Sequence, residues 1–274
     1  MVCADPIRPP PTGADAQASW PLPDRFDFGE STRLLRAGRN DPTVIREADG
    51  LWRTGHTEQG PSTVRLVIQT NGRLDAYAWG DGSQAVLDTV PAWLGLDRPE
   101  PVLPPHPVTD RLLQKHPGVR LNDTGNLFEA LVNIVLQQQI TWNEAACNWR
   151  RLCEVYGEPA PGRPDMRLSP APRELRRADL DRIMRLGIRR QQAMTLKELA
   201  QASSGLNACR TLPTAALEER LQSLRGIGPW TTSMALGMRL GRPEPLVRGD
   251  VHLPHVVSWT FERQPRGRDA RLES

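Results

Sequence analysis

The stretch Leu224-Arg-Gly-Ile-Gly-Pro-Trp-Thr-Thr232 decides how the rest of this sequence is interpreted. Before it, apolar residues recur at helical spacing at positions 217, 221 and 224, with Thr214 as a candidate N-cap. After it, Pro229 occupies a position that the first turn of a helix tolerates. We predict a helix, a tight turn and a second helix, with Gly226 and Gly228 supplying positive φ angles. The N–H groups that open the second helix are suited to a phosphate oxygen.

An aspartate follows the hairpin in the stretch Val247-Arg-Gly-Asp-Val-His252. Asp250 comes after a loop rich in proline and glycine, at the start of a helix predicted over 250–262. An aspartate in this position is commonly a helix cap, worth about 0.5–2 kcal/mol. A carboxylate at a helix start can also face a cleft and take part in chemistry, so both interpretations stay open.

The hairpin, the loop and the aspartate together resemble the helix-hairpin-helix glycosylase superfamily of base-excision enzymes. The stretch from Leu127 to Ala146, which contains Gln137-Gln-Gln139, is similar to the helix, glutamine loop and helix of the 3-methyladenine DNA glycosylase II branch. Specific motifs cover roughly residues 105–262. The predicted fold is mainly α, an orthogonal helical bundle with the helix-hairpin-helix, preceded by a small antiparallel α+β domain.

This resemblance implies a monofunctional DNA glycosylase of base excision repair. Such an enzyme excises alkylated purines, of the 3-methyladenine or 7-methylguanine type, by hydrolysis of the N-glycosidic bond. Asp250 would be the catalytic carboxylate, stabilising positive charge on the sugar. Bifunctional members carry a lysine nucleophile where this chain has Trp230, so no strand cleavage by AP lyase chemistry is expected. The alternatives are a glycosylase of the same fold for another damaged base and a non-catalytic helix-hairpin-helix DNA-binding protein.

The DNA contacts are expected at the hairpin and at the glutamine loop. The residues concerned are Gly226, Gly228, Trp230, Thr231, Gln138 and Gln139. Flipping a base out of the duplex leaves a gap that the glutamine loop is placed, by resemblance, to fill. Trp142 and Trp230 could stack on a flipped, electron-poor purine. Equally, both tryptophans could belong to the core, and the glutamines could satisfy the polar end of their own helix.

No cofactor and no metal held by side chains are expected. Asp250, His252 and His255 offer three ligands, but positions 250 and 252 point apart on a helix and no further ligand is near. An iron–sulfur cluster needs closely spaced cysteines after the aspartate, whereas the four cysteines, at positions 3, 147, 153 and 209, all precede it. The resemblance leaves room for a monovalent cation on the backbone carbonyls of Gln222, Leu224 and Ile227.

Three regions are predicted along the chain. Residues 1–24 are a proline-rich, disordered tail. Residues 25–100 are the small α+β domain, with turns at Asp49-Gly50 and Asn71-Gly72 and a helix from Ser83 to Leu94. Residues 108–274 are the helical glycosylase domain, which would lack the last helix of the enzymes it resembles. Its predicted helices are 108–116, 125–138, 143–156, 172–185, 189–203, 214–225, 229–240 and 250–262.

The charge distribution and the lack of certain segments bear on the partner and the location of the protein. The net charge is +3, but residues 158–274 hold 20 Lys and Arg against 13 Asp and Glu. This excess favours a polyanion partner, although a solvated arginine-rich surface would look similar. The resemblance implies damaged double-stranded DNA as the partner, bound by a monomer. The chain lacks an apolar run of about eighteen residues and a signal peptide, which predicts no membrane contact and a cytoplasmic, bacterial, nucleoid-associated location.

Overall fold

The computed structural model describes residues 13–100, 102–243 and 247–268. A five-stranded antiparallel sheet comes first, with strand order β1-β5-β4-β3-β2. The strands are β1 (Ala16–Pro21), β2 (Val44–Glu47), β3 (Gly50–Thr57), β4 (Gly60–Ile68) and β5 (Arg73–Trp79). The predicted hairpins are confirmed, since β2 pairs with β3 through Asp49-Gly50 and β4 pairs with β5 around Asn71-Gly72. Helix α2 (Ser83–Trp93), also predicted, covers one face and shares its core with Leu51, Leu66 and Leu74.

The predicted disordered tail is wrong for residues 16–21. These residues form β1, which pairs along its whole length with β5. Every second residue, Ala16, Ala18 and Trp20, packs against the core of the sheet domain. The alternation of inward and outward side chains is that of a half-buried edge strand, and prolines 21 and 23 mark its end rather than a disordered segment. Residues 1–12 of the predicted tail lie outside the described residues.

A short helix α1 (Phe28–Ser31) and a 3-10 turn (Arg33–Leu35) lie between β1 and β2. After α2 the chain is mainly helical, as predicted. The helices are α3 (Pro107–Lys115), α4 (Leu127–Val135), α5 (Trp142–Tyr156), α6 (Pro172–Arg177), α7 (Leu180–Met184), α8 (Arg190–Cys209), α9 (Thr214–Gln222), α10 (Pro229–Arg239) and α11 (Leu253–Glu262). A small hairpin of β6 (Pro159–Ala160) and β7 (Arg163–Arg167) was not predicted.

Several helix boundaries differ from the prediction, including the ends of α4, α8 and α9 at residues 135, 209 and 222 instead of 138, 203 and 225, and three differences have local reasons. The helix predicted over 172–185 is two helices, because Ala178 is extended and Asp179 caps α7 through the N–H of Arg182. Thr214 is the first residue of α9 rather than its N-cap, and its hydroxyl accepts a hydrogen bond from Arg242. Helix α11 begins at Leu253, three residues after Asp250. Residues 244–246 and 269–274 of the predicted helical domain lie outside the described residues.

Helix α4 is the centre of the bundle. Eight of its nine residues are buried, as expected of a helix that is apolar on all sides. It packs on α8 and α10, in a core with Leu131, Leu196 and Leu236. Because α4 ends at the glutamine loop and α10 begins at the hairpin turn, this packing sets where the two predicted DNA-contacting segments lie.

An ion pair joins the sheet to the bundle. Arg53 of β3 bonds Glu129 of α4 at 3.0 Å, and its guanidinium lies 4.4 Å from the ring centre of Trp93. The other carboxylate oxygen of Glu129 accepts a hydrogen bond from Ser169 Oγ at 2.7 Å. Both partners of the pair are almost completely buried, so loss of one would leave an uncompensated charge in the interior. Among the described residues, no helix is long and apolar enough to cross a membrane.

Candidate nucleic-acid interface and active site

The two glycines of the hairpin turn between α9 and α10 differ in what requires them. Gly226 has φ +87°, and a Cβ there would overlap Thr195 Oγ1 on α8, so the fold itself requires glycine. Gly228 has φ −103°, so the predicted positive φ is wrong at this position, where the chain is extended as it enters α10. A Cβ at Gly228 would have no described atom within 4 Å. The protein therefore leaves the space beside Gly228 open.

The N-terminal end of α10 faces this open space. Gly228 is its N-cap and Pro229 its first residue, as predicted, and no side chain within the described ranges caps this end. The first N–H groups of a helix have no partner inside the helix. Together with the positive end of the helix dipole, they suit an anion such as a phosphate oxygen.

The glutamine loop is bonded to the hairpin. Gln138 Nε2 donates to the backbone oxygen of Gly226 at 3.0 Å and to Thr231 Oγ1 at 2.8 Å. Gln137 instead bonds Asn133 in the last turn of the preceding helix α4, which agrees with the alternative that the glutamines satisfy the polar end of that helix. Gln139 is exposed and has φ +56°, a left-handed conformation uncommon outside glycine. Gln138 thus holds the loop in place, and Gln139 lies at its exposed tip.

Gln192 anchors the same loop and was not predicted. Its side chain is buried at the start of α8, where Nε2 donates to the backbone oxygens of Val135, Leu136 and Gln138. Its own oxygen accepts the N–H of Arg189 at 3.1 Å. These bonds add to those at the C-terminal end of α4, where Val135 O also accepts the N–H of Gln138 at 3.1 Å. A glutamine in the first turn of a predicted helix was the only signal in the sequence.

Asp250 accepts three hydrogen bonds. Its Oδ2 accepts the indole N–H of Trp230 at 2.9 Å, and its Oδ1 accepts the backbone N–H groups of His252 and Leu253 at 2.8 and 2.7 Å. Partial burial raises the pKa of this carboxyl, but these bonds, with the nearby His252 side chain, outweigh burial and leave the pKa below its usual value. Asp250 is therefore an ionised carboxylate bonded to the first turn of α10.

The two predicted pocket tryptophans lie in different surroundings. Trp230 is half-buried against the bundle core and touches Asp250, so it belongs to the core and to the site at once. Trp142 is 45% exposed at the start of α5. No hydrogen bond or ring contact among the described residues joins Trp142 to Trp230 or Asp250. The structure brings together Gln138, Gly226, Thr231, Trp230 and Asp250, and Trp142 stays outside this cluster.

Two possible ion sites were considered, one formed by side chains and one formed by backbone carbonyls. Within the described ranges, no three His, Cys, Asp or Glu side chains converge on a common point, Asp250, His252 and His255 included. Leu224 O, one of the three carbonyls considered for a monovalent cation, accepts the N–H of Ile227 at 3.1 Å. A carbonyl oxygen has a second lone pair, so this bond is compatible with a cation, and the site stays a prediction.

A cavity of about 530 Å³ lies elsewhere, between the sheet and the bundle. Its walls include Arg53, His56, Trp93 and Glu129, and none of the predicted site residues. We place the candidate site at Asp250 rather than in this cavity, because the hairpin, the glutamine loop and a carboxylate with a lowered pKa meet there.

Comparison with known proteins points to the same region. Residues 132–273, which include the glutamine loop, the hairpin and Asp250, match the model of the family described as HhH-GPD superfamily base excision DNA repair protein. A stretch of 125 residues is 31% identical to DNA-3-methyladenine glycosylase 2 of Escherichia coli (strain K12). That match covers 45% of this chain and 44% of the relative, so the chain spans less than half the length of that protein.

Solved structures share the fold beyond this region. A 3-methyladenine DNA glycosylase from Archaeoglobus fulgidus superposes with a TM-score of 0.81 at 17% identity, over 93% of this chain and 90% of that one. A 3-methyladenine DNA glycosylase of Schizosaccharomyces pombe, in complex with abasic DNA, superposes with a TM-score of 0.52 at 23% identity, over 61% of this chain and 82% of that one. The first of these likenesses extends over both the sheet and the bundle.

Proposed function

We propose that this chain, which belongs to the HhH-GPD superfamily of base excision DNA repair proteins, is a DNA glycosylase that releases alkylated purines from double-stranded DNA. The observation that carries the proposal is Asp250, an ionised carboxylate hydrogen-bonded to the first turn of the hairpin's second helix. A DNA-contacting element and a negative charge within one cluster are what cleavage of a base from its sugar needs.

In the proposed reaction, the carboxylate of Asp250 stabilises positive charge on the sugar. Breaking an N-glycosidic bond develops positive charge on the sugar, and a nearby carboxylate stabilises that charge in the transition state. The same group can orient the attacking water. An alkylated purine already carries positive charge and leaves with little acid assistance, so a single carboxylate suffices. This chemistry, and the name of the Escherichia coli relative, favour an alkylated purine over other damaged bases.

The hairpin would hold the DNA backbone. The space beside Gly228 is open, and the uncapped end of α10 offers N–H groups and the positive end of a helix dipole. Such contacts position the protein on the duplex without reading its sequence. The excess of Lys and Arg after residue 157 adds a favourable long-range field.

Gln139 is our candidate for the residue that fills the gap left by a flipped base. It is exposed at the tip of a loop that Gln138 and Gln192 bond to the rest of the protein. Gln138 would act by positioning, because its amide group is already bonded to Gly226 and Thr231. Trp142 lies outside this cluster, which leaves Trp230 as the aromatic residue nearest the carboxylate.

The test is base release from duplexes that carry 3-methyladenine, 7-methylguanine, hypoxanthine or 8-oxoguanine, with Asp250→Asn as the matched variant. Asparagine keeps an oxygen that can cap α11, so the fold should survive while the charge is lost. We expect release of the methylated purines to fall at least about a hundredfold with DNA binding retained, and thermal stability to fall somewhat because the amide can accept hydrogen bonds at only one of the two positions.

Two outcomes would contradict the proposal. Near-normal turnover by Asp250→Asn would show that the carboxylate is only a helix cap. Binding of DNA by the unaltered protein without release of any of the four bases would favour a non-catalytic DNA-binding protein. Release of hypoxanthine or 8-oxoguanine alone would keep the glycosylase and change its substrate.

A further inference from the structure

We infer that Trp230 is a positioning residue, whose indole N–H holds Asp250 in place and leaves a single acceptor site on Oδ2 for the reaction. This inference rests on the proposed function, since it assigns a task to the neighbour of the proposed catalytic group. The sequence suggested two other tasks for Trp230, stacking on a flipped base and filling the core. The structure adds the contact between Trp230 Nε1 and Asp250 Oδ2 at 2.9 Å.

The acceptor sites of the carboxylate can be counted. A carboxylate offers about four lone-pair sites, two on each oxygen. The backbone N–H groups of His252 and Leu253 use both sites of Oδ1. The indole of Trp230 uses one site of Oδ2. No other donor among the described residues bonds Oδ2, so one site remains there, and the sugar or the attacking water would meet Asp250 at that oxygen.

Trp230 is well suited to hold this geometry. It is the second residue of α10, and its ring packs against the bundle core, which limits its rotation. Its neighbour Thr231 accepts a hydrogen bond from Gln138 at 2.8 Å. Asp250 itself follows a glycine with φ +77° in a chain segment without regular structure. The indole therefore bonds a carboxylate on an irregular segment to a packed helix.

The indole also affects the proton affinity of the carboxylate. Burial raises the pKa of Asp250, and the hydrogen bond from Trp230 is the largest of the contributions that lower it, because such bonds favour the charged form. A carboxylate with three donors is a weak base. Asp250 would consequently act by charge stabilisation and water orientation rather than by removing a proton.

The deciding experiment compares Trp230→Phe with Trp259→Phe. Phenylalanine keeps an aromatic ring and removes the N–H, so stacking and packing largely survive while the hydrogen bond is lost. Trp259 is an exposed tryptophan on α11, the helix that Asp250 precedes, and serves as the matched control. The pKa of Asp250 is read by carbon NMR of the carboxyl group, with Asp250→Asn to assign the signal.

We expect Trp230→Phe to raise the pKa of Asp250 and Trp259→Phe to leave it unchanged. The acidic limb of the pH profile for base release should move to higher pH in Trp230→Phe, and the maximal rate should fall about tenfold. In the double variant Trp230→Phe/Asp250→Asn, release should be no slower than in Asp250→Asn alone, because both changes affect one interaction.

An unchanged pKa of Asp250 in Trp230→Phe would overturn the inference, whatever the enzyme's activity. An unchanged pH profile with lower affinity for lesion-bearing DNA would also overturn it, in favour of stacking. If the unaltered protein releases no base, the proposed function fails, and the NMR titration still decides whether the indole controls the carboxylate.

Discussion

At the scale of single residues, the contacts of Asp250 allow one side chain to bond the start of α11 and to serve as the proposed catalytic carboxylate. Oδ1 bonds the N–H groups that open α11, while Oδ2 bonds Trp230 and keeps one free acceptor site. Because the pKa is lowered in the folded chain, these bonds stabilise the fold at pH values above the pKa of the unfolded chain. That contribution is lost as the pH falls through the folded-state value.

Trp230 also bears on the fate of the DNA strand after base release. An enzyme that cuts the strand after removing the base needs an amine to form a Schiff base with the sugar. Trp230 occupies the position where the resembling bifunctional enzymes have lysine, and an indole N–H bonded to a carboxylate is not a nucleophile. We therefore expect the product strand to stay intact until alkali or heat is applied. Gel analysis before and after alkali, with borohydride added to capture any Schiff base, checks this. A trapped protein–DNA adduct would mean that another amine attacks the sugar.

At the scale of elements, the two glycines of the hairpin turn have different roles: the fold requires Gly226, whereas Gly228 leaves room for DNA to approach. Gly226 is required by its positive φ and by the proximity of Thr195. Gly228 is extended, and no described atom lies within 4 Å of the position that a Cβ would take. Contacts within the protein explain why residue 226 is glycine, but they do not explain why residue 228 is glycine. Gly228 is therefore the better candidate for contact with DNA.

The two glycines should therefore respond differently to alanine. Gly226→Ala should lower the unfolding free energy by about 1 kcal/mol or more, through a strained φ and the overlap with Thr195. Gly228→Ala should fold with a loss below about 1 kcal/mol, the ordinary cost of alanine at an N-cap. It should weaken binding to all DNA sequences alike, because its methyl group stands where a phosphate would approach.

Thermal unfolding and fluorescence anisotropy measure these two effects separately. Anisotropy across several duplex sequences and salt concentrations should show affinity that falls with salt, as counterion release requires. Normal binding by Gly228→Ala, or a loss confined to some sequences, would show that the hairpin turn does not meet the phosphate backbone.

At the scale of the whole molecule, the sheet and the bundle are joined by buried polar contacts. The pair Arg53–Glu129 lies between them, and Ser169, in the segment between β7 and α6, bonds the other oxygen of Glu129. The sheet in turn depends on β1, which covers the edge of β5 and brings Trp20 against the core. The N-terminal segment is thus part of the folded body from residue 16.

Removal of residues 1–24 should consequently destabilise the protein. The truncated chain loses β1, exposes the edge of β5 and uncovers apolar surface beneath Trp20, which should cost about 2 kcal/mol or more. Removal of residues 1–12 alone leaves β1 in place and serves as the control. Denaturant unfolding of both truncated chains provides the comparison. Equal midpoints would mean that β1 contributes nothing to stability.

The sequence by itself predicted most elements and the family, and it singled out the residues of the candidate site. Local signals were sufficient for the turns at Asp49-Gly50 and Asn71-Gly72, for α2 and for the helices on either side of the hairpin, because turn residues and hydrophobic periodicity act over a few neighbours. The motifs around Gly226 and Asp250 were sufficient to recognise the family, and at Gly226 the positive φ and the proximity of Thr195 require glycine.

Tertiary structure alone decided which residues touch. Nothing local indicates that Gln192 bonds the end of α4, that Gln138 bonds the hairpin, or that Trp230 bonds Asp250. The first two contacts join residues far apart in the chain that meet through packing of α4, α8 and α10, and the third depends on how the segment before α11 returns to the start of α10. The same reason explains β1, whose proline-rich surroundings suggest disorder until β5 supplies its hydrogen-bond partners. Such contacts join residues that are distant in the sequence, so local sequence patterns do not predict them and they form only when the core packs.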